Sequence, residues 1–233
     1  FEGAVWTRWR VGEVIKPHGG VHSEVSTMGL RLKPLGFTLQ KPTRRSYRQN
    51  PKRVAPWREE TLPELTTTAV PDPRVIFYVD ESAFYLLPQV RQTWAPAGQT
   101  PILSEGCQSA HLEVYSAINE PGDIYYQLRE TSYTGSEVAK FIRDLGGLTQ
   151  QKLLLIWDGA SIHRRQEVKD LLGEEDFAGR VQLALLPAYS PQLNAASPVW
   201  AWLKGGQLKN VCCKTLDELT RQVQQAFAKQ TEN

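Results

Sequence analysis

The stretch RVIFYVDES, residues 74–82, decides the fold. Val75 to Val79 run without a polar interruption and stop at Asp80 and Glu81. An apolar run this short, with no alternation, predicts a strand covered on both faces in the middle of a sheet. KLLLIWDGAS, residues 152–161, repeats the pattern: Leu153 to Trp157 lead into Asp158. If the two strands pair in parallel, Asp80 and Asp158 emerge side by side at the edge where open α/β sheets take ligands.

One aspartate at a strand end is ordinary. Two of them, with Glu81 beside the first and DGASIH around the second, point to chemistry. Like charges held a few ångströms apart repel, so the pairing implies a cation between them. Oxygen ligands suit Mg²⁺ or Mn²⁺. Two such ions about 4 Å apart activate a water or hydroxyl and stabilise the leaving oxygen in phosphodiester chemistry. Strand alternation turns Glu81 to the face opposite Asp80, which makes it a salt-bridge partner rather than a ligand. His163 reads as a packed or surface histidine, with substrate contact as the alternative.

Outward from these strands, HLEVYSAIN (111–119) and DIYYQLRE (123–130) alternate like antiparallel strands joined through Pro121 and Gly122. QTWAPAGQTP (92–101) carries a turn signal at Pro96 to Gly98. SEVAKFIRDLGG (136–147) reads as a capped amphipathic helix closed by glycines. A helix in HRRQEVKDLL, a third strand in RVQLALLPAY and closing helices in PVWAWLK and TLDELTRQVQQAFAKQ complete the body. The succession predicts an α/β fold, a mixed sheet flanked by helices.

The 233 residues suffice for one good-sized domain, or for a domain with a small appendage. No apolar run approaches the ~20 residues of a membrane span, so no membrane partner is expected. No signal peptide is visible; the start at Phe1 rather than Met carries the expectation that residues precede it. Cys107, Cys212 and Cys213 lack the spacing of a disulfide framework or zinc site and read as packing residues of a reducing compartment. The four histidines are scattered.

Charge is divided unevenly. Residues 1–58 hold 12 Lys and Arg against 3 acids, a net of +9, and residues 59–233 hold 15 against 22, a net of −7. Residues 31–58 contain nine basic residues and no acid. This is either a nucleic-acid-binding head on a separate body or a solvated linker with incidental charge. WTRWRVGEVI has helical spacing and is broken at Gly19 and Gly20. In HSEVSTMGLRLKPLGF, Ser23 or Ser26 is expected to cap a second helix ending near Gly36. Arg31 and Lys33 on it would face a major groove in a helix-turn-helix. Pro34 and Gly29 are expected to interrupt that helix. QKPTRRSYRQNPKRVAPW (40–57) reads as an extended basic linker, followed by a short helix in REETLPEL and a boundary at VPDP.

The last informative stretch is LLPAYSPQLNAASPVWAWLK, residues 185–204, set in a region with no Asp or Glu between Arg180 and Leu216. Together with FYVDESAF, WAPAGQTP and LLIWDGASIHRR, in that order, it resembles the motifs of the DDE transposases of the mariner superfamily, in their bacterial insertion-sequence branch. STMGLRLKPLGFTLQKPTRR is similar to that branch's second helix-turn-helix and linker. The resemblance spans most of residues 11–204.

It implies an RNase H-like fold, preceded by a small helix-turn-helix segment, and three carboxylates that use two Mg²⁺ (or Mn²⁺) to cut DNA at inverted repeats and join it to a target. The first two acids fall on Asp80 and Asp158. The closing motif runs Tyr-Ser-Pro-acid-Leu-Asn-Pro-x-Glu-x-x-Trp; Tyr189, Ser190, Pro191, Leu193, Asn194 and Trp200 match it. Ala195 replaces the Pro, Gln192 the flanking acid, and Ser197 the catalytic Glu. Ser197 before Pro198 also carries the Ncap–N1 signature, so the helix is expected to start late and to draw position 197 away from the metals. Asn194 would offer one weak amide oxygen.

The expected organisation is a partial helix-turn-helix segment at 1–40, a basic linker and short helix at 41–72, and an RNase H-like catalytic domain at 73–233. The expected DNA contacts are Arg31, Lys33, Lys41, Arg44, Arg45, Arg48, Lys52 and Arg53. Partners by resemblance are double-stranded DNA, as terminal inverted repeats and target, and a second copy of the chain on that DNA. The resemblance further implies a prokaryotic, cytoplasmic, nucleoid-associated protein. Activity is expected to be impaired by Ser197, and the alternative is a transposase-derived DNA-binding protein without catalysis. An unrelated RNase H-like nuclease accounts for the acids but not for the basic front.

If the basic stretch neutralises about five phosphates, log K for duplex DNA falls against log salt with a slope of about −4 to −5. Anisotropy of a labelled duplex across a salt series measures this directly. A slope near zero removes DNA from the account of residues 31–58.

Overall fold

The parallel pairing anticipated above is present. In the computed structural model, which describes residues 5–19, 24–40, 46–68, 73–86, 90–103 and 110–230, the chain divides into a unit Phe1–Arg45 and a unit Ser46–Asn233.

The first unit holds two helices, α1 (Arg8–Gly19) and α2 (Val25–Leu32). Met28 is the side chain buried between them, and its Cγ approaches within 4.0 Å of the space a Cβ on Gly12 would fill. Gly29 does not interrupt α2. It lies inside the helix, where a Cβ would come 3.4 Å from Cδ of Arg8. Ser26 does not cap the helix either: Glu24 occupies the cap position and Ser26 the second helical one, while Ser23 lies outside the described residues. Pro34 is accommodated because α2 gives way at Lys33–Leu35 to a 3₁₀ turn, which tolerates proline near its start. Gly36 ends the turn at φ 82°, a left-handed conformation that glycine adopts without strain.

In the second unit the expected extended linker is helical from Pro51. Asn50 accepts a hydrogen bond from the Lys52 amide at 3.0 Å and Pro51 takes the first helical position, opening α3 (Pro51–Pro56). A wide turn at Trp57–Thr61 continues it into α4 (Leu62–Thr68). Absence of apolar periodicity concealed this helix; Trp57 anchors it, with Leu62 and Leu65 packed against the same cluster. Trp57 is buried with Tyr78, Leu154, Ile156, Ala184 and Leu186, and its indole N–H donates to the Leu185 carbonyl at 3.1 Å.

The sheet follows in the order β3-β2-β1-β4-β5. β1 (Arg74–Tyr85), β2 (His111–Asn119) and β3 (Ile124–Arg129) pair antiparallel. β4 (Lys152–Trp157) joins β1 in parallel, and β5 (Val181–Leu185) joins β4 in parallel. This is the expected RNase H-like mixed sheet flanked by helices. α5 (Gly135–Gly147) opens with a capping box of Thr134 and Glu137, and with α6 (Gln166–Gly173) it covers one face. α7 (Ala196–Trp202), its wide-turn extension Leu203–Gln207 and α8 (Leu216–Ala228) cover the other. β4 is buried on both sides: Leu153, Leu155 and Trp157 enter the first core, and Leu154 and Ile156 the one sealed by Trp57. Cys213 is buried in the α8 core, as its packing role requires, and Cys107 lies outside the described residues. Among the described residues, no helix is long and apolar enough to cross a membrane.

Trp57→Ala is expected to cost about 3–5 kcal/mol in urea unfolding, the range for emptying a buried tryptophan site. Trp57→Phe, which keeps most of the ring but orphans the Leu185 carbonyl, should cost less. Equal small losses would show that α3 and α4 are not anchored through this ring.

Candidate active site

Residue register carries the two aspartates together. Tyr78 pairs with Ile156 in the parallel ladder, so two residues further on Asp80 stands level with Asp158. Both open into a cavity of about 400 Å³ whose wall also includes Leu186, Tyr189, Asn194 and Ser197. β4 stops at Trp157 because Asp158 turns the chain, its Oδ1 accepting the Ala160 amide at 2.9 Å.

The two carboxylates sit in opposite environments. Burial pushes the Asp80 carboxyl above its ordinary range; hydrogen bonds from the Trp200 indole (3.0 Å) and the Glu81 amide (3.1 Å) draw it back in part, and the charge of Asp158 raises it. Asp158 is held below its ordinary range, foremost by His163, whose Nδ1 lies 3.2 Å from Oδ1, against the opposing effect of burial. His163 is the packed histidine of the sequence reading. It is buried, lies flat on Trp157 with ring centroids 4.3 Å apart, and meets the Tyr115 hydroxyl through Nε2 at 2.8 Å. With Nδ1 protonated and Nε2 bare, it donates to Asp158, whose carbonyl is 3.0 Å away, and accepts from Tyr115. Glu81 forms no salt bridge with a described residue, contrary to the expectation; partial burial raises its carboxyl.

Sequence reasoning gave Trp200 no role and did not single out Lys204. The two are four residues apart on α7 and its extension, a rise of about 6 Å. Asp80 and Ser82 are two apart on the same face of β1, a rise of about 6.6 Å. The spacings nearly match, so Trp200 donates to Asp80 while Lys204 donates to Ser82 Oγ at 2.6 Å. Lys204 Nζ also lies 4.9 Å from the Phe84 ring centroid. Burial lowers its ammonium pKa, and Glu113 and Asp80 oppose that shift. The pairing of an i,i+4 helix with an i,i+2 strand was the signal available in the sequence.

Ser197 is not the helix cap. α7 begins at Ala196, and the Asn194 side chain serves its start: Oδ1 accepts the Ala196 amide at 3.0 Å while Nδ2 donates to the Val79 carbonyl at 3.2 Å. The helix therefore starts earlier than the Ser-Pro pair implied, and position 197 stays on the cavity wall with Asp80 and Asp158. The Ser197 hydroxyl is turned to the Pro191 carbonyl, 3.0 Å away. Asn194 has a structural part here, its oxygen accepting the Ala196 amide and its Nδ2 donating to the Val79 carbonyl.

Of the basic residues, Arg31 and Lys33 are exposed on the first unit. Arg48, Lys52 and Arg53 are exposed at the start of the second, and Lys41, Arg44 and Arg45 lie outside the described residues. Arg48 reaches Tyr189, at the cavity. Among the described residues no group of three or more His, Cys, Asp or Glu side chains converges. Asp80 and Asp158 are the two carboxylates on the cavity wall among the described residues, and Ser197, on the same wall, carries a hydroxyl that donates to the Pro191 carbonyl.

The sequence model of the DDE superfamily endonucleases matches residues 75–220, and that of a winged helix-turn helix matches residues 2–61. Among curated proteins nothing matches. The solved structures similar in fold include the following. The Mos1 strand transfer complex has 16% identity, a TM-score of 0.63, and coverage of 98% of this chain and 73% of that one. The Mos1 mariner paired end complex with Mn has 17%, 0.67, 97% and 68%. The catalytic domain of Mos1 mariner transposase has 15%, 0.55, 81% and 85%.

The opposite environments of the two aspartates predict opposite pH behaviour. A carboxyl raised on folding, as Asp80 is, favours the folded state at low pH and loses that contribution as pH rises through its folded pKa. A lowered one, as Asp158 is, contributes above its unfolded pKa and loses that contribution as pH falls through its folded pKa. Asp80→Asn should therefore raise Tm at pH 7 by a few degrees, at about 2–4 °C per kcal/mol, and Asp158→Asn should lower it by less, because solvent screens a side chain that is 58% exposed; both differences should shrink as pH falls toward about 3. Thermal unfolding at the two pH values decides; a fall of equal size in both variants contradicts the assignment of burial to Asp80.

Proposed function

We infer that this chain, which belongs to the DDE superfamily of endonucleases, is a transposase of the bacterial insertion-sequence branch of the mariner superfamily, with cutting and joining of DNA ends impaired by Ser197. The observation that carries the reading is the placing of Asp80 and Asp158 level on adjacent parallel strands, with position 197 on the wall of the same cavity. Double-stranded DNA is the substrate, taken as terminal repeats and target, with two copies of the chain pairing the ends inside a prokaryotic cell. The match of residues 2–61 to a winged helix-turn helix and the acid-free basic stretch support the DNA partner.

Asp80 and Asp158 would hold Mg²⁺ or Mn²⁺, which supplies charge neutralisation of the phosphodiester and acidifies a bound water. The chain's own residues prepare the place. Trp200 fixes one oxygen of Asp80, and the Ala160 amide and His163 fix Asp158. Lys204 ties the helix that carries Trp200 to β1 through Ser82. Ser197 adds no charge: its hydroxyl donates to the Pro191 carbonyl, and the oxygen keeps only neutral lone pairs in place of a carboxylate. The absence of that charge also favours the second reading, a DNA-binding protein that has lost catalysis.

Ser197→Glu separates the two. If the absent carboxylate is worth about 4 kcal/mol in the transition state, the variant should nick supercoiled plasmid with Mg²⁺ or Mn²⁺ up to about a thousandfold faster than the parent chain. Asp158→Asn placed in the same variant should abolish the gain. Losing the bond to Pro191 costs about 1 kcal/mol of stability, so folding is followed in parallel by circular dichroism. Fast nicking by the parent chain, abolished by Asp158→Ala, would show that two acids suffice. A folded but inert Ser197→Glu chain would favour the non-catalytic DNA-binding reading.

A further inference from the structure

Asp80 and Asp158 present four carboxylate oxygens, and the protein treats them unequally. Asp80 Oδ1 accepts the Glu81 amide at 3.1 Å, and its Oδ2 accepts the Trp200 indole at 3.0 Å. Asp158 Oδ1 accepts the Ala160 amide at 2.9 Å and faces His163 Nδ1 at 3.2 Å. Among the described residues nothing donates to Asp158 Oδ2, and the side chain that carries it is 58% exposed on the cavity wall.

His163 decides which oxygen is engaged. Its Nδ1 faces two acceptors of Asp158, the carbonyl at 3.0 Å and Oδ1, so this nitrogen carries the ring proton. The neutral imidazole then leaves Nε2 as an acceptor, and the Tyr115 hydroxyl donates to it at 2.8 Å. Turned over by half a rotation, the ring would set carbon against both Asp158 and Tyr115. Trp157, stacked flat on the imidazole, restrains its plane but accepts either orientation. The Tyr115 hydroxyl distinguishes them, because only one brings a nitrogen to it.

Tyr115 is well placed to hold that hydrogen bond. It is fully buried on β2, opposite Glu81 of β1, with its ring against Tyr133 (centroids 5.0 Å apart) and Phe141 (4.7 Å, edge-on). Burial foremost, with the charges of Glu81, Asp158 and Asp80, holds the phenol well above its ordinary range, so the hydroxyl keeps the proton it donates.

We propose that Tyr115 is a positioning residue for the divalent cation: through His163 it assigns Asp158 Oδ1 to the protein and leaves Oδ2 as the oxygen that takes the metal. Hard cations take oxygen ligands, and an oxygen already facing two N–H groups has less to offer than a bare one. The inference rests on the Mg²⁺ or Mn²⁺ reading above.

Mn²⁺ alone is titrated into the full chain near neutral pH, and the free ion is followed by its paramagnetic resonance. Tyr115→Phe keeps the ring beside Tyr133 and Phe141 and removes the hydroxyl. Mn²⁺ should then bind about tenfold more weakly, the lower end of the range for partners that orient metal ligands. His163→Asn sets an amide nitrogen where Nδ1 stands and has no use for Tyr115, so adding Tyr115→Phe to it should change affinity less than about twofold. A general loosening of the core would cost the same in both backgrounds. The ¹⁵N signals of His163, identified by their loss in His163→Asn, should show the proton on Nδ1 in the parent and a second form in Tyr115→Phe. A parent chain with that proton on Nε2 overturns the proposal, whether or not the variants fold. So does undiminished Mn²⁺ affinity in folded Tyr115→Phe, or an equal loss in both backgrounds; either leaves the two-aspartate reading standing if Asp158→Asn still weakens binding. Mn²⁺ binding absent from the parent, or unaffected by Asp158→Asn, overturns the metal reading and this inference with it.

Discussion

Everything in the candidate site depends on the parallel register of β1 and β4. Hydrogen bonds between peptide groups set it, and the apolar side chains on both faces of β4 defend it. A slip of one residue would turn each Leu of β4 to the opposite core and would leave Asp80 beside Trp157 or Gly159 instead of Asp158. The cost of misplacing that much buried surface is what keeps two mutually repelling carboxylates side by side. Charge repulsion is imposed on the site by packing around it, not tolerated for want of alternatives.

Within that frame the two aspartates are handled differently. Asp80 is partly buried and receives the Trp200 N–H and the Glu81 amide; Asp158 is more open and is held by His163 and a turn amide. Tyr115 and Trp157 fix the histidine from below, so the orientation of Asp158 is set by a chain of contacts that begins in the first core. Helix α7 plays the corresponding part for Asp80 from the other face. The site is therefore a seam where both hydrophobic cores reach the same sheet edge.

The strands that carry the aspartates were legible because burial on both faces leaves an unbroken apolar run, a signal that survives without any knowledge of partners. Gly98 and Gly122 mark turns in the same plain way. The start of α7 was misjudged because Ser197-Pro198 satisfies the local rule for a cap, while the residue that does the capping, Asn194, is chosen by a bond to Val79 more than a hundred positions away. Helix α3 was missed because it buries no side chain of its own and is held from its two ends, by Gln49 before it and Trp57 after it, whereas periodicity needs several apolar residues before it registers. Glu24 in place of serine at the start of α2 follows no strong preference, and the cap there makes no side-chain bond. Local chemistry can be read from a sequence where neighbours decide it; these three places are decided by distant contact or by one large side chain.

The match between α7 and β1 resembles two rulers with different graduations laid edge to edge. Helix marks fall about every 6 Å and strand marks about every 6.6 Å, so the scales agree at two adjacent marks and are out by more than an ångström at a third or fourth. Trp200 and Lys204 use that short interval of agreement, and its far end already lies in the wide turn Leu203–Gln207 that closes the regular helix. Helix length at this position is thereby a matter of alignment rather than of propensity. A longer regular helix would keep these two fastenings and fall out of step with the strand at the next mark.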